Sequence, residues 1–343
     1  MTSRSSSSSS SFPRLTTDLA AVRRAIIDSV TVGDERARGP FEHFTRRPGR
    51  LFRPTLALTS AYVVDHQVSA EEVIPAAVTV ELLHLATLCH DDLCDRAETR
   101  RGHPTVNALF GDATALISGD YLLACATGTA ASLGTLPMQL IGETLKTICM
   151  GQLQEGLDLY DVDRSESAYF AAITGKTAAL MEASAVLGAA AAGGDAVARA
   201  GMGSFGRNLG IAFQIWDDVL DIWAPNGVTG KESGQDLANG VYTLPVIYAL
   251  RERPAELQPL LSKGEFTPQR REEILAVLGR TDAAEQSLRV ARAHIEQALS
   301  DVRSLPGVAP DSAERLIAVA RLLMPEIDRL LPRPEHVETS VVA

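Results

Sequence analysis

The chain has 343 residues, 45% of them apolar and 22% charged, enough to close a large buried core. Its 32 Lys and Arg stand against 43 Asp and Glu, and the net charge of −11 works against a general affinity for nucleic acid or anionic lipid. The same composition excludes collagen, a disulfide scaffold and wholesale disorder, and length alone gives a soft prior of two domains.

The unbroken serine run at residues 5–11 cannot bury enough to order itself, so residues 1–15 are expected to be a disordered N-terminus. No charged, apolar, small-residue signal pattern stands there. From about residue 16 onward helical spacing dominates and sustained period-two alternation is nearly absent, which predicts an all-α fold. The apolar run at 82–88 leads into His90-Asp91-Asp92-Leu93-Cys94-Asp95, and the run at 209–215 leads into Trp216-Asp217-Asp218-Val219-Leu220-Asp221. Punctuation between 51 and 223 is limited to short breaks near 102–104, 134–137, 161–167 and 193–195. The Ala, Ser and Gly of 178–192 read as a tightly packed buried helix. The stretch 224–245, with Gly227, Gly230, Gly234 and Gly240, is long enough to be a functional loop.

Thr267 and Pro268 open a helix that Gly279 ends. Asp282 with Glu285 reads as a capping box for the helix carrying Leu288, Ala291, Ile295, Leu299 and Val302, and Asp311 with Glu314 opens the last helix. No Pro- or Ser-rich linker interrupts the interior, so one helical domain over 16–331 replaces the prior of two, with a frayed tail at 332–343. No stretch reaches the roughly 18 apolar residues of a membrane span. Cys89, Cys94, Cys125 and Cys149 form no CxxC pair, which points to reduced thiols in a cytoplasmic protein.

Each acidic cluster is an Asp-Asp-x-x-Asp. In a helix its first and last Asp share one face, about 6 Å apart along the axis. Carboxylates stacked near a helix C-terminus repel one another and oppose the macrodipole, so two such clusters point to a cation that offsets the repulsion. Oxygen donors suit Mg²⁺, which takes one or two carboxylates, waters and substrate phosphate. Two helices facing one another would hold a metal-bound diphosphate between them; the bland alternative is a solvated helix end neutralised by Arg96 and Arg100.

Basic residues could complete such a site. Arg100 and Arg101 follow the first cluster, Arg50 and Arg53 lie upstream, and His84 sits two turns before Asp91. Lys176, Thr177, Gln214 and Lys231 come later, and only four Lys occur in the chain. Arg suits bidentate phosphate contact and Lys acts as a point charge. Singly, Arg50 and Arg53 read as a surface pair, His84 as a core histidine, and Lys176 with Thr177 as a turn.

The stretches HDDLCDRAETRRGHPTVN from His90, GDYLLA from Gly119, GKTAAL from Gly175, FQIWDDVLDI from Phe213 and GKESGQDL from Gly230 resemble the trans-isoprenyl diphosphate synthase (polyprenyl synthetase) family, over about 50–330. The resemblance implies a helical bundle around a deep central cavity, a homodimer, and Mg²⁺-dependent head-to-tail condensation of isopentenyl diphosphate with an allylic diphosphate. It further implies that Asp91, Asp95 and Asp217 ligate Mg²⁺, with Asp92, Asp218 and Asp221 in support. Arg100, Lys176, Thr177, Gln214 and Lys231 would hold the allylic diphosphate, and Arg50, Arg53, His84 and Arg101 the isopentenyl diphosphate. No nucleophile elbow, Walker A loop or HExxH motif suggests another chemistry.

Two positions depart from the family pattern: Leu51 stands where a basic residue is usual, and Val241 replaces the cation often found after the GxDL segment. Thr87, Ala86 and Leu83, on the helix before Asp91, are expected to wall the product chain, and small residues there favour geranylgeranyl or longer products. A prenyltransferase with another acceptor, a class I terpene cyclase and a noncatalytic subunit are the competing readings.

Overall fold

The structure, a computed structural model, describes residues 12–31, 35–46, 49–100, 102–223, 234–262 and 264–323. Two sequence-predicted site residues, Arg101 and Lys231, lie outside the described residues, as do the serine run and the tail. The N-terminal half carries helices α1 (Leu15–Val30), α2 (Arg38–Arg46), α3 (Phe52–Val64), α4 (Ala70–Cys94), α5 (Val106–Phe110), α6 (Asp112–Ser132) and α7 (Thr135–Leu157). There follow α8 (Glu166–Ile173), α9 (Ala179–Ala191), α10 (Ala196–Trp223), α11 (Gln235–Asn239), α12 (Leu244–Glu252), α13 (Pro254–Leu261), α14 (Pro268–Leu278), α15 (Ala283–Arg303) and α16 (Ser312–Leu323). The expected all-α fold is what forms. Among the described residues, strand pairing is confined to a hairpin of Thr99–Arg100 with His103–Pro104, turned at Gly102 with φ +74°.

Helix α4 begins on a reciprocal cap: the Ser69 hydroxyl accepts from the Glu72 N–H, and the Glu72 carboxylate accepts from the Ser69 N–H. It packs against α3 on one side and α6 on the other, within an N-terminal apolar core that includes Leu82, Leu83, Ala86 and Leu122. The small-residue run forms the buried helix expected of it, α9, wedged between α3 and α10. A Cβ at Gly188 would lie 1.9 Å from the Ala57 carbonyl oxygen, so α3 and α9 touch backbone to backbone there. A second core, around Phe205, Ile215, Leu244 and Ile295, joins α10, α12 and α15.

Three sequence expectations are corrected. The helical runs Ala70–Cys94 and Glu166–Ala191 are each long and apolar enough to cross a membrane, whereas the sequence reading found no such stretch. In each, 67% of the apolar window is buried inside the protein, and core packing accounts for the composition. Asp282 makes no side-chain cap: its ψ of 9° is not the extended conformation of an N-cap, and Glu285 pairs with Arg292 instead. The stretch read as one long loop contains α11 and ends where α12 begins; residues 224–233 of it lie outside the described residues. Elsewhere the signals hold, since the Thr267 hydroxyl caps α14 by accepting from the Arg270 N–H and Gly279 follows its last residue.

Candidate active site

The first acidic cluster occupies the last turn of α4 and the second the last turns of α10, so both arrive at one end of the bundle. They meet across a cleft of about 650 Å³ whose walls include Asp95, Asp217, Asp218, Glu155, Lys176, Thr177 and Gln214. Thr177 and Lys176 lie on a π-helical turn, Thr174–Ala178, that joins α8 to α9. That turn is pressed against α7. A Cβ on Gly151 would lie 2.6 Å from the Lys176 nitrogen, and one on Gly175 would lie 2.8 Å from the Thr147 carbonyl oxygen. This contact sets the Lys176 ammonium on the Glu155 carboxylate, one turn beyond Gly151 on α7.

The hydrogen bonds in the cleft form a chain. The Thr177 hydroxyl donates to Gln214 Oε1 (2.7 Å), Gln214 Nε2 donates to Asp218 Oδ1 (2.8 Å), and the Tyr169 hydroxyl donates to Asp218 Oδ2 (2.6 Å). Asp221 accepts the backbone N–H groups of Gln235 and Asp236, each at 3.3 Å, and so ties the end of α10 to the start of α11 and brings Asp236 into the cleft wall. Among the described residues no three acidic, imidazole or thiol groups converge into a cage for a metal ion. The donor set still fits a hard cation. Asp95 and Asp217 line the cleft and Asp91 stands one turn before Asp95 on α4; all three offer oxygen only, as suits an ion that keeps its waters and takes diphosphate oxygens.

Crowded acids of this kind resist ionisation. Burial pushes Asp218 up to about 7 against the pull of its hydrogen bonds from Tyr169 and Gln214, with Asp217 and Glu155 adding repulsion. Burial also raises Asp91 and Asp95, although Lys176 pulls both back, and it raises Asp236 together with repulsion from Asp221, Asp218 and Asp217. For Lys176 burial acts downward, yet the Glu155 carboxylate, with Asp91 and Asp95, holds the ammonium above its ordinary value. The folded ligand-free protein thus keeps carboxyl protons that the unfolded chain releases above about pH 4. Between about pH 4 and 7 the unfolded state binds fewer protons, and stability falls as pH rises. The ligand-free protein is expected to melt at a lower temperature at pH 7.5 than at pH 5, and Asp218→Asn to narrow that gap. Thermal melts of both proteins at both pH values check this; an unchanged gap would mean that Asp218 is not the group responsible.

Asp92 and Arg100 pair with each other at the end of α4. Asp92, 6% exposed, faces away from the acidic cleft, and its Oδ1 accepts from both Nε and Nη2 of Arg100 at 2.7 Å. The hairpin turned at Gly102 folds Arg100 back over the end of α4, so this pair lines a second cavity of about 260 Å³ with His84, Gly49, Leu88 and His103. Arg100, expected on the allylic diphosphate, lines the cavity that His84 lines, and its charge also acts on Asp91 and Asp95 at the end of α4. Arg50 and Arg53 flank the start of α3 next to Gly49. Of the expected chain wall, Leu83 is 0% and Ala86 2% exposed, packed in the N-terminal core, while the Thr87 hydroxyl donates to the His84 carbonyl oxygen.

Residues 34–278 match the polyprenyl synthetase family. The chain belongs to that family. Heptaprenyl diphosphate synthase component 2 of Bacillus subtilis is 33% identical over 274 residues, covering 77% of this chain and 76% of that one. The structure of a decaprenyl diphosphate synthase from Rhodobacter capsulatus superposes with a TM-score of 0.84 at 27% identity, over 94% of this chain and 99% of that one. A geranylgeranyl pyrophosphate synthase from Corynebacterium glutamicum, complexed with calcium and isoprenyl diphosphate, gives a TM-score of 0.78 at 32% identity over 90% and 95%. The polyprenyl synthetase described above is thus a prenyltransferase of isoprenoid biosynthesis with the all-α isoprenoid synthase fold.

The two departures from the family pattern have different consequences in this synthetase. Leu51, 5% exposed, belongs to the N-terminal apolar core and lines a small cavity there with Ile26, Phe44 and Leu85. Val241 lines the acidic cleft itself and presents an apolar surface there. Sequence reasoning missed Glu155, Asp236 and Tyr169. Asp236 stood in the GKESGQDL stretch without a role, whereas Glu155 and Tyr169 are single residues on helices with no local pattern to mark them.

Proposed function

We propose that this protein condenses isopentenyl diphosphate head-to-tail with an allylic diphosphate, in the presence of Mg²⁺, to give a linear all-trans polyprenyl diphosphate of geranylgeranyl length or longer. The observation that carries this reading is the pair of cavities sharing the last turns of α4, one walled by acids and Lys176, the other by Arg100 and His84. Two diphosphates of unlike roles need two such sites, with the reacting carbons brought together between them. Asp91, Asp95 and Asp217 are the residues that would hold Mg²⁺, with Asp218 and Asp221 behind them. Held there, the ion would supply positive charge to offset that of the leaving diphosphate.

The chain's own residues do the rest. Lys176 supplies a fixed cation to the allylic diphosphate as its C–O bond breaks, and Thr177 and Gln214 offer polar contacts beside it. His84 with Arg50 and Arg53 would hold the acceptor diphosphate while the alkene attacks the allylic carbon, and Arg100, at the end of α4 between the two cavities, would add its charge to the allylic diphosphate. The proton lost from the new C–C product goes to the released diphosphate, so no protein base is required. Purified protein incubated with Mg²⁺, isopentenyl diphosphate and each allylic primer, with chromatography of the dephosphorylated products, tests the reading. Linear alcohols longer than the primer are expected; cyclic hydrocarbons, or turnover only with a partner chain, would overturn it.

Leu83 and Ala86 are buried in the N-terminal core and line neither cavity, so their place in a chain wall is an expectation carried by their position on α4 before Asp91, with Thr87 beside them. Ala86→Phe is expected to shorten the main product by one isoprene unit or more, and the same chromatography checks it; an unchanged product would remove this stretch of α4 from the wall. A homodimer is supported by the apolar side chains that α5 and α6 leave exposed, Leu109 at 50%, Phe110 at 40%, Leu116 at 46% and Ile117 at 64%. Sedimentation at twice the chain mass is the expected result. Four free cysteines support a reducing, cytoplasmic setting.

A further inference from the structure

We propose that Tyr169, braced by Arg164, is a positioning residue that fixes the acidic cleft. Tyr169 lies on α8, is 1% exposed, and meets Asp218 across 49 residues of sequence, so no local turn geometry accounts for the contact. Its hydroxyl and Gln214 together occupy both oxygens of a carboxylate that is itself 2% exposed, which leaves that side chain one orientation. The Arg164 guanidinium stands 5.8 Å from the centre of the Tyr169 ring. Arg164 Nη1 donates to the Tyr242 carbonyl oxygen at 2.9 Å, and its Nε donates to Asp158 at 3.1 Å. Two further backbone bonds secure the same region: the Tyr160 N–H donates to the Gly240 carbonyl at 2.8 Å, and the Val241 N–H to that of Asp236 at 2.9 Å.

One clamp therefore joins three walls of the cleft: α8, the end of α10, and the segment 236–242 that carries Asp236 and Val241. An apolar pair of the same size would fill this space without desolvating a carboxylate. What Tyr169 adds beyond packing is direction: with Asp218 fixed, the end of α10 presents Asp217 to the cleft and Gln214 to Thr177.

The proposal rests on the reading of this cleft as the allylic, metal-diphosphate site. Its test is Tyr169→Phe in the full chain, which keeps the ring and its stacking on Arg164 and removes only the hydroxyl. The Tyr169 hydroxyl touches no ligand, so its loss reaches binding only through the freed Asp218 carboxylate. Calorimetric titration with inorganic pyrophosphate and Mg²⁺ is expected to show about tenfold weaker binding, and the KM for the allylic substrate to rise in parallel. The KM for isopentenyl diphosphate should stay within about twofold, because His84 lies in the other cavity; a general loss of folding would not split the two constants. Tyr248→Phe is the control, since its hydroxyl donates to the Glu166 carboxylate at 2.9 Å outside the cleft, and it should alter neither. Arg164→Lys, which keeps the charge and loses the hold on Tyr242, should move the same constants in the same direction and serves if Tyr169→Phe does not fold. Unsplit constants in Tyr169→Phe, or equal losses in Tyr248→Phe, would overturn the proposal. A parent chain that binds no pyrophosphate with Mg²⁺ would overturn the reading of the cleft itself, a result distinct from a variant that matches a binding parent.

Discussion

Asp217→Asn is expected to lower kcat/KM by about 10² to 10³, the usual effect of removing one preorganised group that acts on developing charge. The same variant should be as stable as the parent or more so. Asp217 is exposed at the cleft and sits beside Asp218 and Asp236, both of which its charge pushes toward the protonated form. Removing that charge relieves repulsion in the ligand-free state while removing a ligand from the working one. Residues that store unfavourable charge for a ligand trade stability against activity in this way. Steady-state kinetics at saturating Mg²⁺ and a thermal melt of the ligand-free protein check the two halves separately. Loss of activity with an equally large loss of stability would show that Asp217 holds the fold together, and the cleft would need another metal-facing carboxylate.

How much of this could be read from the sequence follows the range of the interactions. The two Asp-Asp-x-x-Asp clusters were legible because i and i+4 spacing places their outer carboxylates on one helix face whatever the tertiary fold. Asp95 and Asp217 line one cleft with Lys176, whose charge also acts on Asp91. Asp92, one residue along, lines the other cavity; a helix end neutralised by Arg100 was among the readings of the chain, but the hairpin that brings Arg100 back to Asp92 has no local signal. The buried run at 178–192 was legible from composition, since only small side chains allow the 1.9 Å approach implied at Gly188. Glu155 was not, because its place in the site depends on Gly151 touching Gly175 across 24 residues, a contact that neither glycine announces locally. Asp282 failed for a related reason: an Asp three residues before a Glu caps a helix only if its own backbone is extended, and there it is not.

Gly151→Ala tests how tightly the fold holds the chemistry. The added Cβ would meet Lys176 N at 2.6 Å, Ala172 O at 2.9 Å and Gly175 C at 2.9 Å, all backbone atoms, with no flexible side chain to give way. Either α7 or the π-helical turn must move. Overpacking of this kind costs about 1 to 3 kcal/mol, and a contact wholly with backbone belongs at the upper end. The displacement falls on the residues that carry Glu155 and Lys176, and misplacement of about 1 Å at a site of this kind lowers the rate about 10²-fold. Gly142→Ala, on the same helix but with nothing within 4 Å of its Cβ, should instead stabilise the protein by roughly 0.5 to 1 kcal/mol and leave turnover unchanged. Urea unfolding and steady-state kinetics on the two variants separate helix propensity from the helix-to-turn contact. If Gly151→Ala were stable yet slow, the cleft would depend on the spacing of α7 from Lys176 alone; if it were unstable yet fast once folded, the Glu155 and Lys176 pair would serve the fold and leave the reaction to the aspartates.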